Sequence, residues 1–284
     1  MNRYFYDLHI HSCLSPCAED DATPANIAGM AALNGLQIVA LTDHNTTRNC
    51  PAFFEAARAY GLIPIAGMEL TTSEDIHIIC LFPTLDAASS FQAIVDERRI
   101  HIKNKPAIFG NQLIMDAEDT VLGEEEDLLI NATTISIEEA YYLAAQCGGI
   151  AYPAHIDRTS NGMVSVLGGF PTDPKFTAFE LNNAPALSEY QEKYPHLKDM
   201  RYVVSCRLCQ AWKAVLYHRS TYLSQNRLLS GNYYNPNLDK NQVFCYNIEQ
   251  GRRLLTNGHQ RNYTVNRQFG LSYHGCYCVF LVHQ

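Results

Sequence analysis

Between Tyr4 and Val204 short apolar runs alternate with segments of helical period, and this alternation constrains the fold more than any other feature of the chain. The runs YFYDLHI, LQIVALTDH, LIPIAGMELTT, IHIICLF, GIAYPAH, FTAFELNN and RYVVS have the length and composition of strands. TPANIAGMAALNG places Thr23 as N-cap, Pro24 at the first helical position and Gly35 as the stop. PAFFEAARAYG runs from Pro51 to Gly61, and DAASSFQAIVDERRI has helical period. SIEEAYYLAAQCGG carries a capping box of Ser136 with Glu139, ahead of a stop at Gly148. Strands that are apolar almost throughout are buried on both faces, which predicts a parallel sheet covered by helices. With about seven strands, a closed or distorted barrel is expected rather than a small open sheet. The acidic stretch Asp116–Asp127 is predicted to be an exposed loop or excursion.

Nearly every predicted strand ends in a group that can bind a metal ion. The first ends at His9 and His11, which share a face because strand side chains repeat every two residues. The second ends at Asp43-His44 and the third at Glu69; His77 opens IHIICLF and His155 closes GIAYPAH. In parallel β/α proteins the C-terminal ends of the strands form the active face. One histidine there reads as a capped or half-buried polar residue; the set together reads as a metal centre. Imidazoles and carboxylates with no thiolate among them suit Zn²⁺, Mn²⁺ or Fe ions in a hydrolytic site. The donors outnumber those that one tetrahedral ion needs, and Glu69 is the natural carboxylate to bridge several ions. Such a cluster generates hydroxide at neutral pH and clamps a phosphoryl oxygen.

Taken together, these motifs resemble those of the PHP (polymerase and histidinol phosphatase) family. They stand in family order as DLHIHS (His9, His11), LTDHNT (Asp43, His44), GMELTT (Glu69), IHI (His77) and YPAHIDR (His155), within residues 1 to about 205. The resemblance implies a distorted (β/α)7 barrel with a three-metal site that hydrolyses phosphoesters. The substrate would be a small phosphomonoester, a nucleotide or a short oligonucleotide, attacked by a metal-activated hydroxide. By the same resemblance His9, His11 and Glu69 hold the first ion, His44 the second, and Glu69, His77 and His155 the third. Asp43 would orient a neighbouring ligand. Family members place an Asp or His shortly after the HxH pair. Of Glu19, Asp20 and Asp21 here, Asp20 is taken as that ligand; the rival reading is an acidic lead-in to the helix. Arg158, three residues after His155, is a candidate contact for substrate phosphate, with a surface salt bridge as its rival.

The end of the chain departs from the family. The family's last strand ends in a motif of the type Ser-Asp-Ala-His, whose Asp and His complete the first two metal sites. Here RYVVS is followed by CRLCQAWK, and no Asp-x-His occurs later. The charge balance inverts at the same place. Residues 1–205 carry 27 Asp and Glu against 12 Lys and Arg, whereas residues 206–284 carry 2 against 9. One domain seldom changes composition so abruptly. The chain therefore divides into a barrel over 1–205 and an atypical basic, Cys-rich tail over 206–284. Translation in a shifted frame is the expected origin of that tail, with loose packing as its consequence; a genuine divergent tail is the alternative. Cys206, Cys209, His274, Cys276 and Cys278 form a weak zinc candidate whose spacing matches no common pattern.

Composition narrows the function classes. No apolar run approaches the roughly 18 to 20 residues of a membrane span, and MNRYFYDLHIHS has no signal-peptide h-region. A cytoplasmic location is expected, with the ten cysteines as reduced thiols. Sequence-specific nucleic-acid binding is not expected, because the catalytic part is acidic and the basic tail has no recognisable motif. The partner class is a small phosphorylated substrate or nucleotide, and the oligomeric state is open. Two rivals stand beside the phosphoesterase reading. One is an amidohydrolase-like barrel hydrolase, which also opens with an HxH pair. The other is a PHP-derived, non-enzymatic module impaired by loss of the Asp/His pair.

Overall fold

The computed structural model of the chain describes residues 2–204, 244–247 and 276–282. In chain order the elements are β1 (Asn2–Ile10), α1 (Pro24–Leu33), β2 (Ile38–Leu41), α2 (Cys50–Ala59), β3 (Ile63–Thr71) and β4 (His77–Phe82). These are followed by α3 (Leu85–Arg98), α4 (Pro106–Phe109), β5 (Leu113–Met115), β6 (Val121–Glu124), α5 (Ile137–Gln146), β7 (Ile150–Pro153) and α6 (Met163–Leu167). Then come β8 (Ala178–Leu181), α7 (Leu187–Lys193), β9 (Arg201–Val204), β10 (Phe244–Asn247) and β11 (Cys276–Val282).

The main sheet has the order β10-β11-β1-β2-β3-β4-β7 and curls into a half barrel, with β8 and β9 as a separate parallel pair. The α/β class and the distorted barrel architecture are as expected, but the strands are not all parallel. β1, β2 and β3 run parallel, whereas β4 is antiparallel to both β3 and β7. The reason is local. Only Thr72–Ile76 join β3 to β4, closed by Thr72 N donating to Ile76 O at 2.9 Å. A parallel crossover needs a dozen or more residues. The reversal matters for the site, because it brings the start of β4 to the same sheet edge as the ends of β1, β2, β3 and β7.

The helices form where the sequence caps them. Thr23 Oγ1 accepts the Asn26 amide at the start of α1, and Ser136 and Glu139 close a reciprocal capping box on α5. The three stop glycines, Gly35, Gly61 and Gly148, all have positive φ, which other residues adopt only at a steric cost. The helices cover the sheet with apolar faces. α2 buries Phe53 and Ala57, and α3 sets Phe91 against Phe82 of β4 with ring centroids 5.0 Å apart. Every residue of β4 is buried, as a strand covered on both faces requires.

The excursion Asp116–Asp127 is more ordered than expected: β5 and β6 pair as an antiparallel hairpin. Its Glu125 is buried, not exposed, because the guanidinium groups of Arg48 and Arg99 take its carboxylate. At the other end of the chain, β11 runs antiparallel to β1. The zinc candidate of Cys206, Cys209 and His274 lies outside the described residues, as does most of the proposed tail.

Candidate metal centre

The C-terminal ends of β1, β2, β3 and β7 and the N-terminal end of β4 share one edge, and the predicted ligands meet there. His9 and His11 come from β1 and the residue after it, and His44 follows β2, bridged in parallel to Glu69 of β3. His77 opens β4, and His155 follows β7. All six are buried.

Glu69 is the hub. Its Oε2 lies 3.2 Å from His9 Nε2, 3.0 Å from His11 Nε2 and 3.3 Å from His44 Nδ1. Its Oε1 lies 2.8 Å from His77 Nδ1 and 3.0 Å from His155 Nε2. One carboxylate thus offers each oxygen to a separate set of imidazoles. Within the sets, His9 Nε2 and His11 Nε2 are 3.0 Å apart, and His77 Nδ1 and His155 Nε2 are 3.3 Å apart.

The electrostatics follow from this crowding. Burial would raise the Glu69 pKa, but the facing His77, His9 and His44 hold its carboxyl well below the usual range. Burial drives His44 well below the ordinary imidazole value and lowers His155 as well. Burial also opposes charge on His9, yet Glu180 and then Glu69 overcome it and raise the imidazole to about 10. Asp7, just beneath, is pushed up to about 8 by burial while its Oδ1 accepts the His9 amide.

This donor set fits divalent ions. Side chains of His9, His11 and Glu69, and likewise of His44, Glu69 and His77, each bring one ligand atom within 4.8 Å of the others. Among the described residues His44 Nδ1 is buried without a hydrogen bond, Glu69 Oε2 lying 3.3 Å away, a cost that an ion would remove. A third group joins His11 and His44 to Cys17, whose Sγ is 3.1 Å from His11 Nδ1.

The remaining expected residues are placed differently. Asp20 is not at the centre: it is exposed and accepts from Asn111 Nδ2 at 2.8 Å. Successive turns, with Ser15 N donating to Ser12 O and Ala18 N to Ser15 O, carry Cys17 back toward His11 and leave Asp20 outside. Asp43 is buried and accepts from the Ser12 amide, the Ser12 hydroxyl and the Ser15 hydroxyl at 2.6–2.7 Å. Ser15 Oγ in turn accepts the His44 amide at 3.1 Å. Asp43 therefore fixes the backbone around His11 and His44. Arg158 is exposed on the loop after His155, and no ion pair holds its guanidinium among the described residues. Sequence reasoning missed two residues. Cys17 stood in plain view in HSCLSPC, and Glu180 ends the apolar run FTAFEL as the other ligands end theirs.

The PHP domain family model matches residues 7–249. The chain belongs to the PHP domain family. PHP family members are metal-dependent phosphoesterases, and the histidine and glutamate cluster described above is where this PHP chain could hold its ions. An error-prone DNA polymerase from Symbiobacterium thermophilum is 35% identical over 77 residues, 27% of this chain and 7% of the polymerase. The chain thus corresponds to a small part of that relative's length. Among solved structures, a lesion-specific endonuclease from Pyrococcus furiosus is 17% identical with a TM-score of 0.49, covering 72% of this chain and 48% of the endonuclease. A Bifidobacterium adolescentis protein assigned as a metal-dependent phosphoesterase is 18% identical with a TM-score of 0.49, covering 70% of this chain and 86% of that one. No helix among the described residues is long and apolar enough to cross a membrane.

Proposed function

We propose that this PHP chain hydrolyses a phosphoester of a small molecule, a nucleotide or a short oligonucleotide, using up to three Zn²⁺, Mn²⁺ or Fe ions. One observation carries the reading: the two oxygens of Glu69 face two separate groups of imidazoles, the arrangement a bridging carboxylate requires. Ions held there would lower the pKa of a bound water and neutralise phosphoryl oxygens. The chain's own residues supply the rest. His9 and His11 stand on one side of Glu69, and His77 and His155 on the other. Asp43 holds the backbone that presents His11 and His44. Arg158, exposed on the loop that follows His155, is the candidate contact for a substrate phosphate.

The test is phosphate release from a panel of phosphomonoesters, nucleotides and short oligonucleotides with Mn²⁺ or Zn²⁺ supplied. Chelation should abolish it. Hydrolysis that persists after exhaustive chelation, or activity confined to amide and lactone substrates, would overturn the proposal.

A second reading is a metal-binding module without turnover. It is favoured by the sequence after β9, where SCRLCQAWK carries neither of the family's closing Asp and His. Stoichiometric metal with no hydrolysis across the panel would support it.

A further inference from the structure

Glu180 lies on β8, outside the main sheet, and is fully buried. A buried carboxylate is expensive unless it is paired. Among the described residues, the ion-pair partner of Glu180 is His9. Both carboxylate oxygens face His9 Nδ1, at 3.0 and 3.1 Å. Oε1 also accepts the His155 amide at 3.3 Å, and the Glu180 carbonyl accepts the next amide, of Ile156, at 2.9 Å.

We propose that Glu180 is the positioning residue of the centre, setting the ring of His9 and the backbone of His155 so that both present Nε2 to Glu69. An imidazole binds an ion through one ring nitrogen only if its proton sits on the other, and that proton needs an acceptor. Glu180 supplies the acceptor on the Nδ1 side of His9, while Glu69 meets the Nε2 side. The ring separates the two carboxylates, so Glu180 orients a ligand and is not one itself. At His155 the need is different. Its φ is +26°, outside the regions a residue with a side chain adopts freely, and such a conformation persists only where neighbours hold it. The bonds to Glu180 on the His155 and Ile156 amides supply that hold. They are reinforced by Asp157, whose carboxylate accepts the Asn182 and Asn183 amides at 2.8 Å. Two ligands more than a hundred residues apart in sequence are thereby set by one residue, His9 through its carboxylate and His155 through carboxylate and main-chain carbonyl together.

The effect on metal affinity rests on the proposed function; the effect on His9 rests on geometry alone. The test uses the full chain, Glu180→Gln, which keeps the shape without the charge, and Glu180→Asp, which keeps the charge on a shorter arm. In the metal-free native protein, ¹H–¹⁵N spectra should show a low-field, slowly exchanging His9 Nδ1 proton, and Glu180→Gln should move it upfield. Zn²⁺ affinity, measured by competition with a chromophoric chelator, should fall about 10–100-fold in Glu180→Gln, with partial rescue in Glu180→Asp. Absence of that proton from the native protein, or native affinity in a folded Glu180→Gln, overturns the proposal. If the native protein binds no metal, yet the His9 proton is present and moves in the variant, the metal reading falls and the positioning of His9 stands.

Discussion

His77 is the first residue of its strand, and its Nδ1 lies 2.8 Å from Oε1 of Glu69, which stands near the end of the preceding strand. The two meet because β3 and β4 are antiparallel, with Thr71 opposite His77 and Glu69 opposite Ile79. In an all-parallel barrel the start of a strand would lie at the far edge. The short turn after Thr71 thus places a donor that a helical crossover would have carried away.

Glu69 is the residue whose loss the centre can least tolerate. Glu69→Gln removes the one charge shared by five imidazoles, so metal content measured by mass spectrometry should fall sharply. Phosphate release should fall by about 100-fold or more, since the ions would lose their common bridge. Unchanged metal content in a folded variant would remove Glu69 from the centre.

Gly162 supports His155 from behind. A Cβ at this position would collide with the Arg158 carbonyl oxygen and lie 3.1 Å from that of His155. Gly162→Ala should destabilise the fold by about 1–3 kcal/mol, the usual range for overpacking, and weaken metal binding on the His77 and His155 side. Thermal unfolding with a parallel metal titration checks both. Native behaviour in both would show that the loop yields freely.

Cys17 should be the reactive thiol among Cys13, Cys17, Cys50 and Cys80. It is exposed, whereas the others are buried and burial raises the Cys13 and Cys50 thiols to about 12. Iodoacetamide labelling read by peptide mass spectrometry should modify Cys17 ahead of Cys13, Cys50 and Cys80. Bound Zn²⁺ should slow that labelling on the order of tenfold, because the thiolate would be engaged beside His11 and His44. Equal labelling with and without Zn²⁺ would place Cys17 outside the centre.

The capping box of α5 gives a pH signature remote from the centre. The Ser136 amide and then Arg98 hold the Glu139 carboxyl below its ordinary 4.5. A carboxyl depressed in the folded state stabilises above its unfolded pKa and loses that contribution as pH falls through the folded value. Glu139→Gln should therefore be less stable than the native chain at pH 7, and the gap should close on acidification below 4.5. Ser136→Ala should cost about 1 kcal/mol at neutral pH. Denaturant titrations across pH measure both, and a gap that widens in acid would contradict this account.

Much of the centre could be read in the sequence because its donors obey one positional rule. His9, His11, His44, Glu69 and His155 each stand at or just past the end of an apolar run, where side chains converge on one edge. Glu180 obeys the same rule, but a lone carboxylate in FTAFELNN carries no motif beside it. Asp20 lies outside the cluster for another reason. Between Ser12 and Ala22 a chain of tight turns decides which side chain returns to His11, and composition does not reveal turn phase. The reversal of β4 was legible in hindsight, since five residues between two strands leave no room for a crossover. The folding-in of Glu125 was not, because its partners Arg48 and Arg99 are brought to it only by tertiary packing.

The donors of Glu69 and His155 are 86 residues apart in the chain, and those of His77 and His155 are 78 apart. An ion shared between them acts as a removable cross-link around a large loop. By the chain-entropy relation for such loops, closure is worth about 4–5 kcal/mol against the unfolded state. The exposed tip of the β5–β6 hairpin, at Glu118–Asp119, lies inside that loop. A chain severed there would become two segments, His9, His11, His44, Glu69 and His77 on one and His155 on the other. An ion bound between them would then join two chains rather than close a loop within one.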